Sequence, residues 1–191
     1  KTLQIINSFI TLTSIVAALL ALLAFFFADT LIHLIANQAV PELQERAIVQ
    51  LQWMSPMIFI GALVGIFYGI ANAYHRFFWP SFSPSAINIS LILWLLLFEP
   101  DEYGYALAIA TLVGACFQLF SQLPDFFQLK FRFWPSFNFN LPEMKTMGEL
   151  FFPATIGTTI GQLNIYVAMF FVSQLASGGW TAIVLGTRLI Q

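Results

Sequence analysis

Residues 15–27 read IVAALLALLAFFF, and they sit inside an uncharged run from Thr2 to Ala28. A helix needs about 20 mainly apolar residues to cross the ~30 Å hydrocarbon layer of a bilayer. This run is long enough and carries no charge to stop it. Runs of similar length recur at Ala47–Tyr74, Phe77–Phe98, Tyr103–Leu123 and Leu150–Thr187. The last is too long for one span. Ser177-Gly178-Gly179 is a turn signal that divides it, leaving a further helix to start at Trp180.

The reading is therefore an all-α, polytopic transmembrane helix bundle of about six helices within one membrane domain, residues 1–191. The expected spans are residues 5–28, 48–74, 81–98, 103–123, 150–175 and an incomplete 180–191. Residues 124–149 are expected to form an interfacial loop. The chain opens at Lys1 and stops at Gln191 in mid-span, so it is expected to be an internal piece of a longer protein.

Composition agrees. Apolar residues make up 59% of the chain and charged residues only 8%, against roughly 25% charged in soluble domains. Seven basic and nine acidic residues could not cover the surface of a soluble protein of this length. A net charge of −2 gives no field that would draw nucleic acid. Cys116 is alone, and His33 and His75 are far apart, so no metal set is expected.

Charge also orients the chain. By alternation, Lys1, Arg76, Lys130, Arg132 and Lys145 fall on one side. The other side has Arg46 as its base and the acids Asp29, Glu42, Glu45, Glu99, Asp101 and Glu102. The positive-inside rule makes the first side cytoplasmic. The stretch FFQLKFRFWPSFNFN, residues 126–140, mixes aromatics with cations and suits a segment on cytoplasmic headgroups. Phe77, Phe78, Trp79 and Phe82 are expected at the same interface. In lipid, small residues let helices approach. Gly61, Gly65 and Gly69 form a doubled GxxxG, Ala106, Ala110 and Gly114 repeat that spacing, and Gly157 and Gly161 follow it.

Two features could carry function. Thr155, Thr158, Thr159, Gln162, Tyr166 and Ser173 recur at spacings of three and four, which puts them on one helix face. A polar stripe in a membrane either bonds to other helices or lines a water-filled cavity. Arg188 lies eight residues after Trp180, about 12 Å along a helix and so near mid-bilayer. An arginine there costs at least ~2.5–3.5 kcal/mol if it faces lipid. It is expected in an aqueous cavity facing an anion, with Thr181 one heptad earlier on the same face; the other reading is a structural ion pair with an acid elsewhere. A guanidinium suits phosphate because it is planar, permanently charged and bidentate. The expected spans hold no acid. No Ser/His/Asp set, HExxH or glycine-rich phosphate loop is present, so no enzyme and no cofactor is expected.

Three passages together resemble the MurJ (MviN) family of the multidrug/oligosaccharidyl-lipid/polysaccharide flippase superfamily. They are residues 51–90, with Pro56, Gly61, Asn72, Arg76-Phe77, Pro80, Pro84 and Asn88; residues 151–178, with Pro153-Ala154, Gly157, Gln162, Asn164 and Ser173; and GTRLIQ at 186–191. The resemblance implies a lobe of that superfamily's fold, from about the third helix to the start of the eighth. It implies translocation of lipid II from the cytoplasmic to the outer leaflet of the bacterial inner membrane for cell-wall synthesis, by a multi-pass monomer whose partners are lipid II and membrane lipids. It also implies that Arg188, with Thr181, meets the diphosphate-sugar head in a cationic cavity. Ala168 stands where the family often has an acid and Thr187 where it often has Asp or Asn, which leaves a coupling cation open. The competing readings are another polysaccharide-lipid flippase or drug/cation antiporter of the superfamily, and a degenerate membrane scaffold that does not transport.

Overall fold

The computed structural model describes residues 2–35, 40–98, 105–128, 134–137 and 142–173. Among the described residues every regular element is helical, and four helical stretches are long and apolar enough to cross a membrane: Leu3–Phe26, Pro56–Ala73, Phe78–Leu97 and Tyr105–Phe127. This is a multi-pass transmembrane helix bundle. The chain forms two compact units, residues 1–138 and 139–191. The cut falls inside the aromatic connection at 124–149.

Unit 1 begins with α1, Thr2–Phe26, whose 25 residues give about 37 Å of helix. The chain turns at Phe27 into α2, Ala28–Ile35. Helical bonding carries through the turn, since Phe27 N–H donates to Leu23 O at 2.9 Å and Leu31 N–H to Phe27 O at 2.9 Å. Helix α3, Pro41–Met54, starts with proline in its first turn, where the missing N–H would be unsatisfied in any case. Residues 29–46, read from sequence as a connection, thus hold α2 and the start of α3.

Helix α4, Pro56–Ala73, follows α3 almost directly, because Ser55 itself keeps helical dihedrals (φ −56°, ψ −36°). Pro56 has no N–H for the carbonyl four residues back, and its ring presses on that carbonyl. That carbonyl belongs to Gln52. It is taken instead by Ser55, whose Oγ donates to it at 2.9 Å and whose N–H donates at 3.3 Å. Ser83-Pro84 repeats the device between α5, Phe78–Phe82, and α6, Ser85–Leu97. The orphaned carbonyl there is Pro80 O, and Ser83 Oγ donates to it at 3.0 Å. Each of these expected spans is therefore two rods joined by a satisfied break.

Helix α4 ends on a reversal that glycine usually serves. His75 has φ 57°, and Arg76 N–H reaches back to Ala71 O at 2.8 Å. This is the six-to-one bond of a Schellman motif, with histidine in the left-handed position. The turn fixes where Arg76 leaves the helix.

Helix α7, Tyr105–Gln128, contains Pro124 and outruns the expected edge at Leu123. Its tightest neighbour is α6. Ser90 Oγ donates to Ala110 O at 2.8 Å. A Cβ on Gly114 would lie 2.8 Å from Ile87 Cα. Ala110 is buried on α7 one turn before Gly114, so small residues let the two helices approach there. The phenyl rings of Phe67 and Phe126, on α4 and α7, lie 4.2 Å apart. A Cβ on Gly61, Gly65 or Gly69 would meet nothing within 4 Å. The doubled GxxxG of α4 is not a packing face within unit 1, where α4 buries Val64 and Ala71 instead.

Unit 2 is described as one helix, α8, Pro142–Ser173, of 32 residues. Its ~48 Å exceeds the hydrocarbon layer. Glu143, Lys145 and Glu149 occupy its first two turns, so the apolar part starts at Leu150.

Candidate functional site

The polar stripe lies on α8. Thr155, Thr159 and Gln162 are exposed there, and Thr155 Oγ1 donates back to Phe151 O at 2.8 Å. The backbone at Thr158, Tyr166 and Ser173 is helical, as the spacing requires, while their side chains lie outside what is described. Arg188 and Thr181 fall outside the described residues altogether.

Unit 1 holds a polar set that the sequence reading missed. The expectation that the spans hold no acid is corrected: the fourth candidate span runs to Phe127 and includes Asp125, 3% exposed. Its Oδ1 lies 3.7 Å from Arg76 Nη1. One turn earlier Gln122 is fully buried, and its Nε2 donates to Ser83 Oγ at 3.0 Å. Ending the expected span at residue 123 and assigning 124–149 to an interfacial loop hid this set. The available signal was the i, i+3 spacing of Gln122 and Asp125, which puts both on one face if the helix continues.

A second polar set ties the connection to α1. Ser8 Oγ donates to Ser136 Oγ at 2.9 Å, and Ser136 N–H donates to Thr11 Oγ1 at 3.2 Å. Thr11 Oγ1 passes its own proton to Asn7 O at 2.8 Å. Thus the start of α1, the end of α4, helix α5 and the end of α7 share one end of unit 1. Arg76 lies at that end, while Lys1, Lys130 and Arg132, expected on the same side, fall outside the described residues. Trp134, Phe78 and Phe127 are each more than 70% exposed, and the amphipathic indole of Trp134 suits a headgroup boundary.

The groove between α6 and α7, about 420 Å³, is lined by Ile89, Leu93, Trp94, Leu97, Val113 and Phe117, with Ser90 and Ser121. Both hydroxyls are spent on carbonyls of α7, Ala110 O and Gln118 O. The groove therefore suits hydrocarbon and offers nothing to a charged head. Among the described residues no group of three or more His, Cys, Asp or Glu could hold a metal ion.

All 191 residues match the family described as lipid II flippase MurJ. The chain is 31% identical over 197 residues to a probable lipid II flippase MurJ of Buchnera aphidicola subsp. Schizaphis graminum, covering 98% of this chain and 37% of that protein. A protein of the same description from Synechocystis sp. is 30% identical over 183 residues, covering 85% and 34%. The lipid II flippase MurJ of Thermosipho africanus is 30% identical over 131 residues, covering 68% and 26%. The chain thus spans about a third of the length of these relatives. Long apolar helices fit to cross a bilayer, an end that gathers Arg76 and exposed aromatics, and a family match from the first residue to the last have one reading: the chain belongs to the MurJ lipid II flippase family.

Proposed function

We propose that the whole protein carries lipid II from the cytoplasmic to the outer leaflet of the bacterial inner membrane, for cell-wall synthesis. The match of the entire chain to the lipid II flippase family carries this reading. The protein acts as a monomer by alternating access and forms no covalent intermediate. The end of unit 1 that gathers Arg76 and the exposed aromatics faces the cytoplasm, in accord with the positive-inside rule. In unit 2 the stripe from Thr155 to Ser173 is one wall of a water-filled cavity. Arg188 and Thr181 meet the diphosphate-sugar head there, with the guanidinium forming bidentate bonds to phosphate.

The full-length gene is expected to sustain growth of a bacterium depleted of its own lipid II flippase. Failure to do so, with the protein present in the membrane, would favour a scaffold. The cavity wall has its own check. Single cysteines at Thr158, Gln162 and Tyr166 are expected to react with a water-soluble maleimide in intact cells, and cysteines at lipid-facing positions are not. Silence at all three would mean the stripe bonds to neighbouring helices instead.

A further inference from the structure

The exposed aromatic helix α5 is held at both ends by one face of α7. Before α5, Arg76 meets Asp125 at 3.7 Å. At its far end, Ser83 receives the Gln122 amide at 3.0 Å and passes its own proton to Pro80 O at 3.0 Å. Gln122 and Asp125 are three residues apart, so the two grips come from adjacent positions on the same helical face. Next to the second grip lies a break that could otherwise bend, because Pro84 removes the bond that would join α5 to α6.

We propose that Gln122 and Asp125 are positioning residues. They clamp α5 to α7, so that the Ser83-Pro84 break is a fixed elbow and the cytoplasmic end of unit 1 moves as one body during transport. The transport part of this inference rests on the function proposed above; the clamp itself does not.

The chemistry of the set argues for placement over stability. Asp125 Oδ2 and Gln122 Oε1 are buried without a hydrogen-bond partner. A buried acceptor left unpaired carries its full desolvation cost, and replacing both members of a buried polar pair by apolar groups of similar shape is close to neutral. A set built for stability alone would have no need of Gln122. What an apolar replacement cannot do is choose one position for α5, since apolar contacts are non-directional.

The test uses the full-length protein in phosphatidylethanolamine/phosphatidylglycerol vesicles. Nitroxide labels at Ser81 and Phe117, both exposed, report the distance between α5 and α7. The wild type is expected to give one narrow distance distribution. Gln122→Leu, which removes the grip but leaves Ser83 Oγ on Pro80 O, is expected to broaden it at least twofold, leave the thermal unfolding midpoint within a few degrees, and lower transport about tenfold. Arg76→Asp and Asp125→Arg are each expected to broaden the distribution, and the two together to narrow it again.

An unchanged distribution in the Gln122→Leu variant overturns the clamp. Broadened distances with wild-type transport overturn its role in transport. If unfolding falls steeply in step with transport, the set is structural and the inference fails. Where the wild type moves no lipid II, it is the function proposed above that fails, and the distance measurements still decide the clamp.

Discussion

Gly114→Leu is expected to break unit 1 where its helices are closest. The atom nearest a new Cβ is Ile87 Cα, at 2.8 Å, which is main chain and has no rotamer to turn away. Helices α6 and α7 would have to separate along their whole contact. Overpacking a tight core costs about 1–3 kcal/mol, and Gly114→Ala belongs in that range. The leucine side chain adds several atoms in the same direction. It also parts Ser90 Oγ from Ala110 O, now 2.8 Å apart, a bond worth about 1 kcal/mol. A loss above ~3 kcal/mol is expected for leucine, which against a typical net stability of 5–15 kcal/mol is severe. Gly65→Ala is the control, because nothing lies within 4 Å of its Cβ and alanine raises helix propensity by up to ~1 kcal/mol. Unfolding of the purified chain in detergent reads both. Equal midpoints for the Gly114 and Gly65 variants would refute the packing described for α6 and α7.

The second large effect is expected from Arg188→Ala in the full-length protein: loss of growth support in a flippase-depleted strain, with normal amounts in the membrane. Truncating one partner of a desolvated charge pair costs about 2–5 kcal/mol. At 1.4 kcal/mol per factor of ten, the middle of that range is more than a hundredfold in affinity for the phosphorylated head. Arg188→Lys keeps the charge but loses the planar fork, so partial support is expected from it. The alternative of a structural ion pair predicts a different pattern, in which alanine lowers the amount of folded protein as much as growth. Immunoblots of membrane fractions beside the growth curves separate the two.

The spanning helices were legible because a long uncharged run has few other physical explanations. Helices α2 and α3 were not. Asp29, Glu42, Glu45 and Arg46 interrupt the apolar runs there, and a search for spans passes over short helices that carry charges. Glu42 and Arg46 are in fact an i, i+4 pair at 2.7 Å, which supports a helix instead of opposing one. Asp125 was overlooked for a related reason. The expected span stops at residue 123, yet α7 carries Pro124 inside and continues to Gln128. The glycines teach a third lesson. Spacing tells which residues share a face but not which face meets a neighbour. The conspicuous Gly61, Gly65 and Gly69 stay open in unit 1, while Gly114 sits against a backbone. At the candidate site, the stripe from Thr155 to Ser173 could be placed on a helix because periodicity is a local property. What such a stripe faces depends on distant segments, which local periodicity does not encode.

The serine ahead of Pro56 and the serine ahead of Pro84 have a consequence beyond this fold. Hydrocarbon punishes an exposed carbonyl, since no solvent there can take over its bond. By covering the acceptor that the next residue strands, Ser55 and Ser83 make each bend chemically self-sufficient. Such a dipeptide works as a transplantable joint: grafted into a straight membrane helix of another protein, it would introduce an angle without requiring a companion helix to repair the damage.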